Sequence, residues 1–141
     1  MRPSHLLLSA AMSLAFLQLA QAEDFASCPA KISVDRQKLS TPVAGWSVIP
    51  RDVQPHALQG VTFYDGDPAE KADLAPDSSK RGQQTWEFAA QTKPYWLTCH
   101  YSGTTVVIGR QLPKQTKSCT VTFLPNVSID GAPAIGRIAC K

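Results

Sequence analysis

The sequence predicts an all-β domain, a small antiparallel sandwich or barrel of about eight short strands held by two disulfides. Three observations predict it. Short segments of alternating apolar and polar residues recur down the chain, separated by clusters of turn residues. Apolar residues almost never fall at the i, i+3, i+4 spacing of a surface helix. Four cysteines follow an N-terminal segment with the make-up of a secretory signal, which puts them in a compartment where disulfides form.

That segment has Arg2 near its start, an apolar stretch from Leu6 to Ala20, and small residues at Ala20 and Ala22, the positions a signal peptidase reads. Cleavage after Ala22 makes Glu23 the new N-terminus. A membrane anchor fits less well, because a spanning helix needs roughly 20 apolar residues and Ser9, Ser13 and Gln18 dilute this stretch. Lipidation of Cys28 is disfavoured too, since Glu23 and Asp24 separate it from the apolar stretch. The expected organisation is a signal peptide over 1–22 and one all-β domain over 23–141, with no transmembrane anchor in the mature chain. Such a length supports one core and is too short for two. Loss of Arg2 lowers the formal net charge from +3 to +2. With no Lys/Arg cluster beyond Lys80-Arg81, the chain is not expected to bind nucleic acid or an anionic membrane.

The strands are read in order. Ile32 and Val34 alternate with Lys31, Ser33 and Asp35. Trp46 to Ile49 forms a second strand between Gly45 and Pro50. Leu58 to Tyr64 forms a third, with Val61 and Phe63 on one face. Trp86 and Phe88 alternate with Thr85 and Glu87. Tyr95 to Tyr101 follows Lys93-Pro94, and Ser102-Gly103 turns it into a hairpin with Thr104 to Gly109. Cys119 to Leu124 and Gly136 to Cys140 form the last pair, joined by a longer loop containing Asp130-Gly131. Between these strands, 65–83 reads as a long exposed loop. Within it, Pro68 to Leu74 is the one candidate helix, with Asp67 as its cap.

Four cysteines allow three pairings. If Cys119 lies opposite Cys140, Val121 faces Ile138 and Phe123 faces Gly136, so every apolar member falls on one side. Cys28 shares its parity with Ile32 and Val34, and Cys99 shares its parity with Leu97 and Tyr101. The preferred pairing is therefore Cys28 with Cys99 and Cys119 with Cys140. In a chain-entropy treatment these closures restrict the unfolded chain by about 4.4 and 3.4 kcal/mol. A zinc or redox role is disfavoured: there is no C-x-x-C, and Cys99 and His100 are strand neighbours pointing to opposite faces.

No catalytic set assembles, and no cofactor or metal is expected. The chain lacks G-x-S-x-G. His100 and Ser102 are read as same-face neighbours at a hairpin end. Asp65, Asp67, Glu70, Asp73 and Asp77 fall within thirteen residues; the spacing is not that of an EF-hand loop, and Pro68 interrupts it. A solvated acidic loop is the simpler reading, and nothing sets the separation that a pair of glycosidase carboxylates requires. Most of the aromatic residues are expected in the core. Trp96 and His100 fall on the strand face opposite Leu97 and Cys99, where Trp96 is placed to anchor a partner. The residues singled out for partner binding are Asp65, Asp67, Glu70, Trp96, His100 and Ser102.

The series Gly45-Trp46, Phe63-Tyr64-Asp65-Gly66 with Pro68, Leu74 with Pro76-Asp77, Trp86, Cys99-His100-Tyr101 with Gly103-Thr104, Leu112-Pro113 and Cys119 resembles a family of small exported proteobacterial proteins. Its core is a Cys-x-Tyr-x-Gly-Thr motif. The resemblance implies a periplasmic home and brings no activity or catalytic residues with it; in that setting Asn126-Val127-Ser128 reads as a turn and not as a used glycosylation site. Tyr101-Ser102-Gly103 is also similar to the serine-glycine loop that periplasmic lysozyme inhibitors, likewise disulfide-linked antiparallel barrels, insert into an active-site cleft.

The leading expectation is an exported, non-enzymatic periplasmic binding protein, an inhibitor or immunity-type protein for an envelope-targeting hydrolase, with a periplasmic protein as partner. Two others stand beside it: a carbohydrate-binding or small hydrolytic protein acting on cell-wall glycan, and a structural envelope protein.

Overall fold

Alternating apolar residues close into nine strands in the computed structural model, which describes residues 27–35, 39–49 and 55–141. They are β1 (Lys31–Ile32), β2 (His56–Asp65), β3 (Asp73–Leu74), β4 (Ser78–Lys80), β5 (Gln83–Glu87), β6 (Tyr95–Tyr101), β7 (Val107–Gln111), β8 (Ser118–Ile129) and β9 (Ala132–Cys140). The expected signal peptide and its cleavage point after Ala22 lie outside the described residues.

All pairings are antiparallel, and they build two sheets. One runs β1-β2-β6-β7, with β3 also on β2; the other runs β4-β5-β8-β9. Phe63 of β2 and Leu97 of β6 are fully buried between the sheets, where they meet Trp86, Cys119, Val121 and Ile138 of the second sheet. The ring of Phe63 lies 4.8 Å from that of Trp86 and 5.7 Å from that of Phe88. Burying each such side chain contributes roughly 1.5–3 kcal/mol, so these few residues dominate the packing. A smaller cluster of Leu58, Cys99 and Tyr101 fills the other end of the first sheet, against Cys28 and Ile32.

Each sheet carries one disulfide, Cys28–Cys99 in the first and Cys119–Cys140 in the second. The pairing is the one favoured by register. Cys119 stands opposite Cys140 and Val121 opposite Ile138, as expected. Past Thr122 the register slips, so Phe123 meets Ile135 instead of Gly136.

Six expectations about elements are corrected. Trp46 to Ile49 is not a strand: the segment 39–49 is exposed, with Trp46 at 81 % and Ile49 at 80 %. A turn closes just before it, with Gly45 at φ 79° and the Trp46 amide donating to Val43 O. Among the described residues no strand pairs with these four, so they gain no cross-strand stabilisation.

The loop expected over 65–83 is largely structured. Its short strands β3 and β4 are edge strands of two and three residues, too short to carry an alternating signal even though Leu74 of β3 packs against the core. The helix expected over Pro68 to Leu74 shrinks to a single 3-10 turn, Pro68–Glu70, stopped by Lys71 at φ 57°. Asp67 caps that turn, its carboxylate accepting from the Ala69 amide at 2.8 Å.

The strand after the Ser102-Gly103 turn starts later and runs further than Thr104 to Gly109, covering Val107–Gln111. The terminal pair needs no long loop either. β8 and β9 continue to a two-residue turn at Asp130-Gly131, both at positive φ as a tight hairpin of this type requires. The extra residues are taken up by a bulge between Phe123 and Ser128, where Asn126 sits at φ 59°. Asn126 therefore lies in a strand bulge and not in a turn.

Candidate partner-binding face

Because side chains alternate along a strand, the residues of β2, β6 and β7 that do not face the core form a second surface. Register places Tyr64, Trp96 and Gln111 in one row, Thr62, Thr98 and Gly109 in the next, and Gly60, His100 and Val107 in a third. None of these residues belongs to either buried cluster. Trp96, Tyr64 and His100 are half-buried, while the β7 row is exposed.

The middle of this face is a polar network. His100 Nε2 lies 3.1 Å from the hydroxyls of both Thr62 and Thr98. The Thr98 hydroxyl also donates to Thr62 O at 3.4 Å. Burial pushes the His100 imidazole below its ordinary pKa, which keeps the ring neutral at neutral pH. Beside it the surface is kept low by Gly109, where an added Cβ would come within 3.1 Å of Thr98 Cγ2.

Ser102 leads out of this face at the end of β6. Its amide donates to Ala57 O at 2.9 Å, and its carbonyl accepts from His56 Nδ1 at 2.7 Å. His56 is buried, so the turn is pinned to β2 from beneath. The histidine that contacts Ser102 is thus His56, through the backbone, while His100 is engaged by threonine hydroxyls. This geometry holds a turn in place; it does not prepare a serine for attack.

The acidic residues lie at the opposite end. Asp65 pairs with Tyr95 across the ladder, whereas Ser102 follows Tyr101. Seven residue steps of strand separate them, about 23 Å. Their carboxylates are engaged locally: Asp65 accepts from Gln91 Nε2 at 2.9 Å, and Glu70 accepts from Lys93 Nζ at 2.8 Å. The bond and the charge of Glu70 hold the Lys93 ammonium above its usual pKa. Asp77 accepts from the Glu87 amide at 2.7 Å. Among the described residues no three His, Cys, Asp or Glu side chains come together as a metal site. Of the six residues singled out from the sequence, Trp96 and His100 share one face, Ser102 borders it at one end, and Asp65, Asp67 and Glu70 border it at the other.

Thr62, Thr98, Gly109 and Val107 were not singled out. Thr98 shares the parity of Trp96 and His100 on β6, Thr62 is placed by the β2–β6 register, and Gly109 and Val107 are placed by the β6–β7 register, which shifts when β7 starts at Val107 instead of Thr104.

Residues 52–141 match the family described as Type VI secretion system Tli immunity protein. That stretch takes in β2 to β9 and hence both sheets. The chain belongs to the Type VI secretion system Tli immunity protein family. A relative from Azospirillum brasilense, described as an uncharacterized 16.3 kDa protein in the trpG 5' region, is 36% identical over 106 residues, which is 67% of this chain and 69% of that protein. No solved structure matches. Membership of the Tli family makes the chain an immunity-type protein and gives it a protein partner. The likeness to lysozyme inhibitors has no matching structure behind it. No helix among the described residues of this Tli family member is long and apolar enough to cross a membrane.

Proposed function

We propose that this chain is exported by residues 1–22, cleaved after Ala22, and acts in the periplasm as a single domain, 23–141, that neutralises an envelope-targeting effector by binding it. It performs no chemistry of its own. The observation that carries this reading is the outer face of β2, β6 and β7: a Trp96–Tyr64 pair and a satisfied Thr62–Thr98–His100 network on a disulfide-braced sheet, left over once the core is complete. Half-exposed aromatic side chains on a rigid sheet supply contact area at low entropic cost, which is what a binding hot spot needs. Ser102 borders the contact at one end. Asp65, Asp67 and Glu70 border it at the other and favour a partner with a basic rim. Two disulfides suit an oxidising compartment.

The test is rescue. Each type VI effector of the producing strain is directed to the periplasm of a susceptible host, with and without this chain carrying its own leader. One effector should be relieved, and relief should require export and Trp96. Relief by a form lacking residues 1–22, or relief of none of the effectors, overturns the reading.

A further inference from the structure

β7 is an edge strand of a kind that proteins ordinarily avoid exposing. Among the described residues it pairs with β6 alone, in unbroken register from Val107 to Gln111. All five of its residues are exposed, and the apolar run Val106-Val107-Ile108 leads into it. The other edges are blunted. β1 and β3 have two residues and β4 has three, ending at Lys80. β9 carries Pro133 and a register slip at Gly136. Pro, bulges, charge and shortness are the usual protections against strand pairing, and β7 has only Arg110.

The direction of the free backbone groups follows from the ladder. The Leu112 amide donates to Tyr95 O at 2.8 Å, which makes Leu97–Arg110 and Cys99–Ile108 the hydrogen-bonded pairs. Val107, Gly109 and Gln111 then turn their N–H and C=O groups outward. These three residues also form the exposed row of the outer face, so a partner lying on that face reaches the edge without a break.

We infer that β7 accepts an extended strand of the effector, which adds to the β1-β2-β6-β7 sheet through the backbone of Val107, Gly109 and Gln111. The inference rests on the immunity reading above and names its contact. The incoming strand has an apolar residue beside Ile108 and, two positions along on the same face, an acidic residue beside Arg110. Gly109 leaves the outer side of the new pair flat.

The experiment uses the mature chain and the effector identified by rescue. Amide exchange is read residue by residue in the free protein and in the complex. The amides of Val107, Gly109 and Gln111 should exchange freely in the free protein and slow at least tenfold in the complex, while those of Ile108 and Arg110, already in the ladder, change little. Val107→Pro, which removes an outward donor at the first strand position, and Ile108→Lys, which leaves the ladder whole, should each weaken binding at least tenfold. Tight binding without this alternate pattern overturns strand addition and leaves the immunity reading intact. Protection of the same amides in effector-free protein that rises with its concentration, together with a doubled mass, assigns the edge to a second copy and also overturns it. If no effector is relieved, the inference falls with the reading it rests on.

Discussion

Tyr64 stands directly across the ladder from Trp96, on the two central strands of the first sheet and on the face that the core does not use. The pair is therefore braced by neighbours on both strands, yet it is not needed to hold the two sheets together. Trp96→Ala should weaken effector binding at least tenfold, about 1.4 kcal/mol, while the urea midpoint of the free protein moves little. Titration calorimetry beside denaturation separates the two effects, and a stability loss as large as the affinity loss would make Trp96 a structural residue.

Neutralising the acidic end gives a graded expectation. The Glu70–Lys93 pair is exposed on both sides, so Glu70→Gln should leave the urea midpoint essentially where it is. Asp67→Ala removes the carboxylate that caps the 3-10 turn and should cost about 0.5–1 kcal/mol. If the acidic end meets a basic rim, the combined neutral variant of Asp65, Asp67 and Glu70 slows association and flattens its salt dependence. Association rates that are unchanged at low salt would remove these residues from the contact.

His56 offers a cleaner structural test. It is buried and holds the Ser102 carbonyl at 2.7 Å. His56→Ala leaves a part-buried acceptor and a void where the buried ring stood, and should cost about 1–3 kcal/mol in denaturant unfolding. Amides around Ser102 and Gly103 should exchange faster than the rest of β6. A uniform change across the sheet would mean that the turn is held by something else.

His100 makes stability depend on pH in a fixed direction. Its folded pKa lies below the ordinary value of 6.5 because burial disfavours the charged ring. The unfolded chain then binds the proton more readily, so the contribution of this residue is complete above about pH 6.5 and is lost as pH falls toward the folded pKa. Replacing His100 with Gln should remove that part of the slope between pH 5 and 7.5. A slope that survives in the variant assigns it to other groups.

Removing either disulfide should destabilise the domain, and unequally. The Cys28–Cys99 closure spans 71 residues and the Cys119–Cys140 closure spans 21, so loop entropy alone sets upper values of about 4.4 and 3.4 kcal/mol for the two. Paired Cys→Ala variants compared by urea unfolding check the order. A larger loss for the hairpin bridge would show that it works through packing with its buried neighbours Val121 and Ile138 and not through chain entropy.

The parts of the fold that were legible in the sequence are those written in apolar alternation. Phe63, Trp86, Leu97 and Val121 mark central strands because they must fill the space between two sheets, and the same parity argument favoured, among three pairings, the one the structure has. Leu74 shows the other case. It pairs with Phe63, and its carbonyl accepts from the Trp86 indole at 2.9 Å, but two residues of polar-flanked strand leave no periodic trace. Trp46 to Ile49 is a short apolar run bounded by Gly45 and Pro50 that pairs with no strand among the described residues, so composition without pairing misled. Of the candidate site, Trp96 and His100 were visible as the odd side of β6. Thr98 shares their parity and was passed over, while Thr62 depends on the β2–β6 register and Gly109 on how far β7 slides along β6, which the sequence of the Ser102–Val106 connection does not set.

The two bridges join the cysteines in the order in which they occur: first with second, third with fourth. For a chain that is threaded N-terminus first across a membrane, Cys28 emerges alone, and the first thiol to reach it is Cys99. Cys119 and Cys140 follow when that bond can already be closed. An oxidase acting on each thiol as it appears therefore writes the native pattern directly, and the protein should reach full yield in a host lacking disulfide isomerase, whereas a host lacking the oxidase should lose it.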